Sequence, residues 1–455
     1  MPSVYPFSAL TYPLNPGATT DLSALVAPPY DVLDASGKAK LLSKDPRNIV
    51  AVDLPHIPAK DLGPASAYEG AAAMLKEWID SGVLVRTMTP AMYVYRESFT
   101  FNGQITKRTG MVATVDVRPF GPAKGGGILP HEETFSGPKE DRMALMKATK
   151  TQLSPIFGLH ADETGKAAKL LRDICATRPA EMTAKTDDGT LHEVWSVRDP
   201  FVQQKYAEAL IGEDVFIADG HHRYTTAVNY LEALKAEAAS TGKPLSENHP
   251  ARRCMFVIIS MSDPGTVIGP THRVIGGVSG YSWSAFMQAA ASTLRFEPIA
   301  GGLEALESAL LKVEAMGEPR VGLWDFASKS GCVAIPAQRD ALKARFPEKV
   351  PAWRSLDVAM CQYQIVEEIC QAKLNAGNPV KWAFPHSIPE VQAIASGSET
   401  GAGGGKGFTP QLAVILRPTP LQAVREVSRA GQLMPQKSTF FYPKLATGLF
   451  LNPLA

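Results

Sequence analysis

Cysteine is scarce in this chain of 455 residues, and what there is falls into no pattern. Cys175, Cys254, Cys332, Cys361 and Cys370 are odd in number and none belongs to a Cys-x-x-Cys pair. A disulfide framework and a zinc knuckle are therefore not expected; reduced, mostly buried thiols in a cytoplasmic protein are. Excess charge of either sign is lacking too: 46 basic residues stand against 45 acidic ones, a net charge of +1. So balanced a chain gives no electrostatic footprint for coating nucleic acid or an anionic membrane. No helix-turn-helix with a basic recognition helix is found, and nucleic acid is not an expected partner. No stretch approaches the roughly 20 apolar residues that cross a bilayer. The N-terminus has no basic flank before an apolar run, so neither a membrane anchor nor a secretion signal is expected.

Short catalytic signatures are missing as well. There is no Gly-x-x-x-x-Gly-Lys-Ser/Thr loop, and Gly125-Gly126-Gly127 lacks the spaced third glycine of a dinucleotide fingerprint and leads to His131. No Gly-x-Ser-x-Gly elbow and no candidate cysteine nucleophile occur. No His-x-x-x-His pair exists, and His221 and His222 are adjacent, which points them to different sides of a helix and disfavours zinc.

What the chain does have is a length that favours two domains and an ordinary 45% apolar, 20% charged composition. Its most informative stretch is 215–230. Val215 to Ala218 reads as a buried strand, Asp219 and Gly220 as a sharp turn, and His221, His222 and Arg223 as the start of a helix. Glycine lets a backbone approach a ligand, a helix N-terminus presents N–H groups and a positive dipole end, and arginine adds a planar fork. Those are the parts of a phosphate site.

Three other segments carry chemistry. Residues 130–142 combine His131, Glu132, Lys139 and Arg142; they read either as a solvated loop before a helix or as proton-handling and anion-neutralising groups. Thr271, His272 and Arg273 repeat a His-Arg pair after a strand. Residues 434–444 set Lys437, Ser438 and Lys444 among three aromatics, which suits either a nucleotide cradle or a terminal strand packed into the core. Magnesium, which prefers oxygen ligands, fits Asp219 and Glu132 together with substrate phosphates.

Strands and helices alternate irregularly, without internal repeats, and the expected fold class is mixed α/β (α+β). Ser66 to Asp80 has helical periodicity, with Ser66 and Glu69 at capping-box spacing. Residues 91–100 and 107–117 alternate as strands around Asn102-Gly103, a hairpin signal. Helices are expected at 139–150, 162–177, 221–239, 282–294 and 357–373, and strands at 255–261, 320–326 and 412–416. Ala27 to Val32 reads as extended because of its prolines. The Gly/Ser/Thr-rich run 396–407 reads as a flexible loop. A composition change places the domain border at 275/276, giving domains 1–275 and 276–455, with 435–444 able to return to the first.

Taken together the motifs resemble the family catalogued as domain of unknown function 1015. They are Pro-Pro-Tyr-Asp-Val at 28–32, Tyr93-x-Tyr95-Arg96, His131-Glu132-x-Thr with Lys139-x-Asp141-Arg142, and Ser-Pro-Ile-Phe at 154–157. Asp-Gly-His-His-Arg-Tyr at 219–224, Pro-Thr-His-Arg at 270–273, Leu-Asp-Val at 356–358 and Pro-Gln-Lys-Ser-Thr-x-Phe-x-Pro-Lys at 435–444 complete the series. The element at 219–223 is in turn similar to the Gly-x-x-Arg signature of the ParB/sulfiredoxin superfamily and of its branch that phosphorylates free L-serine. His222 stands where that branch has threonine, and His221 where sulfiredoxin has its cysteine.

The resemblance implies a ParB/sulfiredoxin-like core with insertions plus a second α/β domain. It implies a small-molecule kinase using a nucleotide (ATP or ADP) and magnesium to phosphorylate a free hydroxyl amino acid such as L-serine. Gly220, His221, His222 and Arg223, with Lys139 and Arg142, would take the phosphates. Asp219 would hold magnesium, together with Glu132, or orient the attacking hydroxyl. Glu132 would accept the hydroxyl proton, with Asp31 as the substitute base and His131 as a further proton-handling group. Thr271, His272, Arg273, Lys437, Ser438 and Lys444 would meet the substrate. The alternatives are a nucleotide-binding or nucleotide-hydrolysing regulator and a metal-dependent phosphoester hydrolase.

Overall fold

The computed structural model describes residues 3–59, 61–132, 137–397 and 408–455. The chain is a mixed α/β protein that divides into two compact units. The first comprises Met1–Pro130, Thr134–Val267 and Pro443–Ala455; the second comprises His131–Glu133 and Ile268–Tyr442.

The first unit is built on a sheet whose central strands are β1 (Met92–Phe101), β2 (Gln104–Asp116), β3 (Ile156–His160), β4 (Leu191–Val197), β5 (Val215–Asp219) and β6 (Arg253–Ser260). Across the sheet they lie in the order β4-β1-β2-β6-β3-β5. The sheet is mixed: β6 and β3 run parallel, and the other neighbours in that row run antiparallel. Asn102 (φ 48°) and Gly103 (φ 75°) form the two-residue turn of the β1–β2 hairpin, which fixes Phe101 opposite Gln104. Val94, Met111, Ala113, Trp195, Val215 and Ile217 belong to one apolar cluster under the helices. The unit's helices include α1 (Ala65–Asp80), α2 (Gly137–Thr149), α3 (Lys166–Thr177) and α4 (His221–Ser240), of which α3 and α4 add Ala167, Leu171, Tyr224 and Ala227 to that cluster.

The second unit centres on a six-stranded antiparallel sheet in the order Leu294–Pro298, Ser330–Pro336, Val321–Asp325, Pro410–Ile415, Arg273–Gly276, Lys381–Ala383. Helices Leu303–Leu311 and Ile388–Ala395 supply Leu306, Leu310, Val391 and Ile394 to its core. Asp357 of the Leu-Asp-Val motif accepts two 2.7 Å bonds from the buried Arg417, so this motif is a structural ion pair.

Several local expectations are corrected. α1 begins at Ala65 behind Pro64, so Ser66 lies inside the first turn and makes no cap. Tyr30–Val32 closes into one 3-10 turn. α3 starts at Lys166, not Asp162, because Asp162 stays outside at φ 48° and accepts the amides of Ala167 and Ala168. The 357–373 segment is helical but splits into an α turn, Asp357–Met360, and a π-type run, Cys361–Lys373. Beyond Gly397 the glycine-rich loop expected at 396–407 falls outside the described residues. All five cysteines are free, and all but Cys175 are buried. No helix among the described residues is long and apolar enough to cross a membrane.

Candidate functional site

Strand β5 ends at the site. Val215, Phe216, Ile217 and Ala218 are buried, and the pairing with β3 shifts register between Ile217 and Asp219. One residue more on β5 than on β3 is a bulge, a device that re-aims the next side chain, here Asp219. Gly220 follows at φ 96° and serves as N-cap of α4. A Cβ at Gly220 would stand 3.1 Å from Ile156 Cδ1 and 3.2 Å from Arg223 Cζ, so both the backbone angle and the space call for glycine. Gly220 has no side chain to cap the helix, and the first-turn N–H groups at 221–223 point past its end with the positive pole of the dipole.

Two cations meet Asp219. Lys444 Nζ donates to Oδ1, and Arg223 Nη2 donates to Oδ2 at 2.5 Å. Arg223 also donates through Nη1 to the carbonyl of Pro155, in the Ser-Pro-Ile-Phe motif. Burial alone would raise the Asp219 carboxyl; Lys444 and then Arg223 outweigh it and hold the group well below the usual carboxylate range. Asp219 is therefore ionised at any physiological pH and is too weak a base to strip a hydroxyl.

Behind Arg223 lies a second cluster that the motifs alone did not reveal. Arg142 donates to Asp141 Oδ2 (2.7 Å), to the Asp53 carbonyl (2.8 Å) and to Asp53 Oδ1 (3.3 Å), with its guanidinium 3.9 Å above the Tyr30 ring. Tyr68 donates to Asp141 Oδ1 at 2.7 Å, and Ser154 donates to Asp53 Oδ2 at 3.3 Å. Burial pushes the Asp53 carboxyl up, opposed by Arg142 and Arg223. A cavity of about 40 Å³ lined by Asp53, Arg142, Ser154, Arg223 and Thr226 has room for a water or two. Arg142, expected at the phosphates, is 6% exposed and committed to these acids. It braces the floor of the site. Lys139 is half-buried on the first turn of α2, and Asp31 is exposed on the 3-10 turn.

The remaining expected residues belong to the second unit. His131 is fully buried, and its Nε2 lies 2.7 Å from Thr439 Oγ1. Glu132 forms a parallel bridge with Met434, and its Oε2 is buried with no hydrogen-bond partner among the described residues. Arg273, expected to face a carboxylate, spends Nη1 on the Thr271 carbonyl (2.6 Å) and Nη2 on the carbonyls of Gln436 (3.3 Å) and Lys437 (3.0 Å). It clamps the 435–444 motif. Ser438 is buried, donating to the Pro435 carbonyl, while Lys437 is exposed at φ 59°. Thr271 Oγ1 is 3.4 Å from His386 Nδ1.

His272 is fully buried, and its Nδ1 accepts the Leu416 amide at 3.1 Å. Burial, reinforced by His386 and Arg273, depresses its pKa to about 3. A depressed histidine contributes stability that is present above its unfolded pKa, near 6.5, and is lost as the pH falls towards the folded value. Between pH 7 and pH 5 that loss comes to about 2 kcal/mol. His272→Gln should remove this component. Urea unfolding of both proteins at the two pH values tests it, and an unchanged pH dependence would contradict it.

Of the expected site residues, the first unit brings together Asp219, Gly220, His221, His222, Arg223 and Lys444. Lys444, expected to meet the substrate, donates to Asp219. Among the described residues no group of three or more His, Cys, Asp or Glu side chains is arranged to hold a metal alone, so any divalent ion here depends on ligand oxygens as well.

The family model described as "Protein of unknown function (DUF1015)" matches residues 4–359. No curated protein matches the chain. Among solved structures, a conserved hypothetical protein from Pyrococcus furiosus aligns over 72% of this chain and 96% of its own, at 14% identity and TM-score 0.30. A free serine kinase in complex with AMP aligns over 71% of this chain and 88% of its own, at 12% identity and TM-score 0.32. SbnI with C-terminal truncation from Staphylococcus aureus aligns over 75% and 87%, at 11% identity and TM-score 0.34.

Proposed function

We propose a function from one premise: the chain belongs to the family described as protein of unknown function (DUF1015). Within that family it acts as a nucleotide-dependent kinase of a free hydroxyl amino acid, of the L-serine kind, working with magnesium. The observation that carries this reading is Asp219 held between Lys444 and Arg223 at the glycine-started end of α4.

Without a ligand the two cations share one carboxylate. Phosphate oxygens reaching the amides at 221–223 would compete for Arg223 and Lys444 and release lone pairs on Asp219. The donor set fits both ligands: amides, a fork and an ammonium for the phosphates, and one permanently ionised carboxylate for magnesium. Asp219 and the phosphates would hold the ion, which supplies charge neutralisation at the transferred phosphoryl group. Arg223 and Lys444 neutralise the remaining charge, and Asp219 orients without taking a proton. Phosphoryl transfer asks a protein mainly for positioning and charge stabilisation, which is what these side chains offer.

Incubation with ATP, ADP or CTP and magnesium, with and without L-serine, tests the reading by following phosphoserine and free phosphate. Serine-dependent nucleotide turnover is expected. Phosphate release independent of serine would replace the kinase by a nucleotidase or a switch. Tight binding without turnover would leave a regulator.

A further inference from the structure

Lys444 lies between two backbone groups that are gripped from inside the sheet. The carbonyl of Pro443 accepts from Arg108 Nη2 at 2.6 Å, and the N–H of Ala446 donates to Tyr95 Oη at 3.3 Å. Neither grip is isolated. Glu97 on β1 stands directly opposite Arg108 on β2 and His192 on β4, so the three side chains form one row across three neighbouring strands. Arg108 donates to Glu97 Oε2 through Nε (2.9 Å) and Nη2 (2.6 Å). Tyr95, two residues from Glu97 and on the same face, has its hydroxyl 2.6 Å from His192 Nδ1, while His192 Nε2 lies 3.1 Å from Thr186 Oγ1. Arg108 is 0% and Glu97 1% exposed.

Such a row is an unusual thing to bury. Desolvating two charges costs several kcal/mol per ion, and a pair of well-packed apolar side chains generally serves stability as well or better. A planar guanidinium does what an apolar side chain cannot. It holds a carboxylate with one edge and still offers a donor to a carbonyl. Phe157 lies 4.6 Å from the Arg108 guanidinium and fixes its plane. The phenol oxygen likewise takes an amide, and it lies 2.6 Å from His192 Nδ1 and 3.4 Å from Glu97 Oε1. Both of these bonds end on the four-residue stretch that carries Lys444.

We infer that Tyr95, Glu97, Arg108 and His192 are positioning residues. They latch residues 443–446 in place and so set the Lys444 ammonium on Asp219. The inference rests on the reading of Lys444 as a phosphate-neutralising group, but the latch itself is testable without any nucleotide. An ammonium held on a carboxylate acylates slowly, and one set loose acylates faster. The ligand-free protein is treated with acetic anhydride, and the rate at Lys444 is read by mass spectrometry in wild type, Tyr95→Phe and Arg108→Lys, with Asp219→Asn as the released control. Lys38, half-buried with its amine on the Leu54 carbonyl, reports general loosening.

Both latch variants are expected to raise the Lys444 rate about fivefold, the worth of one net hydrogen bond, with Lys38 unchanged. An unchanged Lys444 rate in Tyr95→Phe, or an equal rise at Lys38, overturns the latch. Tyr95→Phe is nearly isosteric and carries the test alone if Arg108→Lys does not fold. A latch that responds in a protein that binds no nucleotide would stand while the kinase reading falls. Serine-dependent turnover with Lys444 indifferent to Tyr95→Phe would sink the latch alone.

Discussion

Asp219→Asn should abolish turnover while leaving the chain folded and able to bind nucleotide. The substitution keeps the shape and one acceptor oxygen for Arg223 or Lys444, so the turn at Gly220 survives. What disappears is the negative charge that both cations contact. Under the proposed function magnesium would lose a protein ligand, and kcat should fall by about 10²- to 10³-fold or more, the usual cost of removing one electrostatic element of a reacting site. Nucleotide affinity measured without magnesium should hold or rise, because Arg223 and Lys444 then face the phosphates unopposed. That split between kcat and binding separates a functional carboxylate from a structural one. The wild-type kcat profile should also show no acid limb belonging to Asp219. Lys444 and Arg223 keep its carboxyl ionised through the whole working range. Full activity in Asp219→Asn would remove Asp219 from the mechanism.

The largest stability effect is expected from Arg108→Ala. It strands Glu97 in a site that is 1% exposed, and breaking a buried pair by removing one partner costs about 3–5 kcal/mol. Burial lifts the Glu97 carboxyl to about 6 even with Arg108 beside it. A raised carboxyl contributes stability that is fully present below its unfolded pKa and declines as the pH rises through the folded one. Losing Arg108 raises it further, so the variant should be most impaired at pH 8 and partly relieved at pH 5. Urea midpoints at the two pH values measure this. The double change Glu97→Leu with Arg108→Met should restore most of the stability while leaving Lys444 unlatched. A cost below about 1 kcal/mol for Arg108→Ala, typical of an exposed pair, would contradict the assignment.

Where local chemistry decides, the sequence was readable. Asn102-Gly103 could only be a tight turn, and an apolar strand before Asp219-Gly220 could only end in one. Gly220 at φ 96° and the helix from His221 follow from the same few residues. Even the Glu97–Arg108 pair was within reach: a two-residue turn at 102–103 sets 101 against 104, and counting back four places sets 97 against 108. The ionic roles were harder. Arg142 and Arg273 read as ligand-facing because their motifs are polar. Both are buried arginines with donors spent on Asp53 and Asp141, or on the carbonyls at 271, 436 and 437. Pattern cannot tell a guanidinium facing a ligand from one bracing a backbone, since the residue type is the same and only burial differs. Lys444 on Asp219 spans 225 positions, and no periodicity reports a contact of that range. The failed capping box at Ser66 has a smaller cause: Pro64 already sets the helix entry, two residues earlier.

Phosphate oxygens are expected to dock on the amides just past Gly220, beside Arg223 and Lys444. The most direct measurement is a titration of the ¹⁵N-glycine-labelled protein with ADP and magnesium, following the Gly220 amide resonance in wild type and in Lys444→Ala. A saturable shift of Gly220 is expected in wild type, with a clearly weaker apparent affinity in Lys444→Ala. A Gly220 resonance that stays still while nucleotide binds, or that titrates identically in both proteins, would contradict that docking.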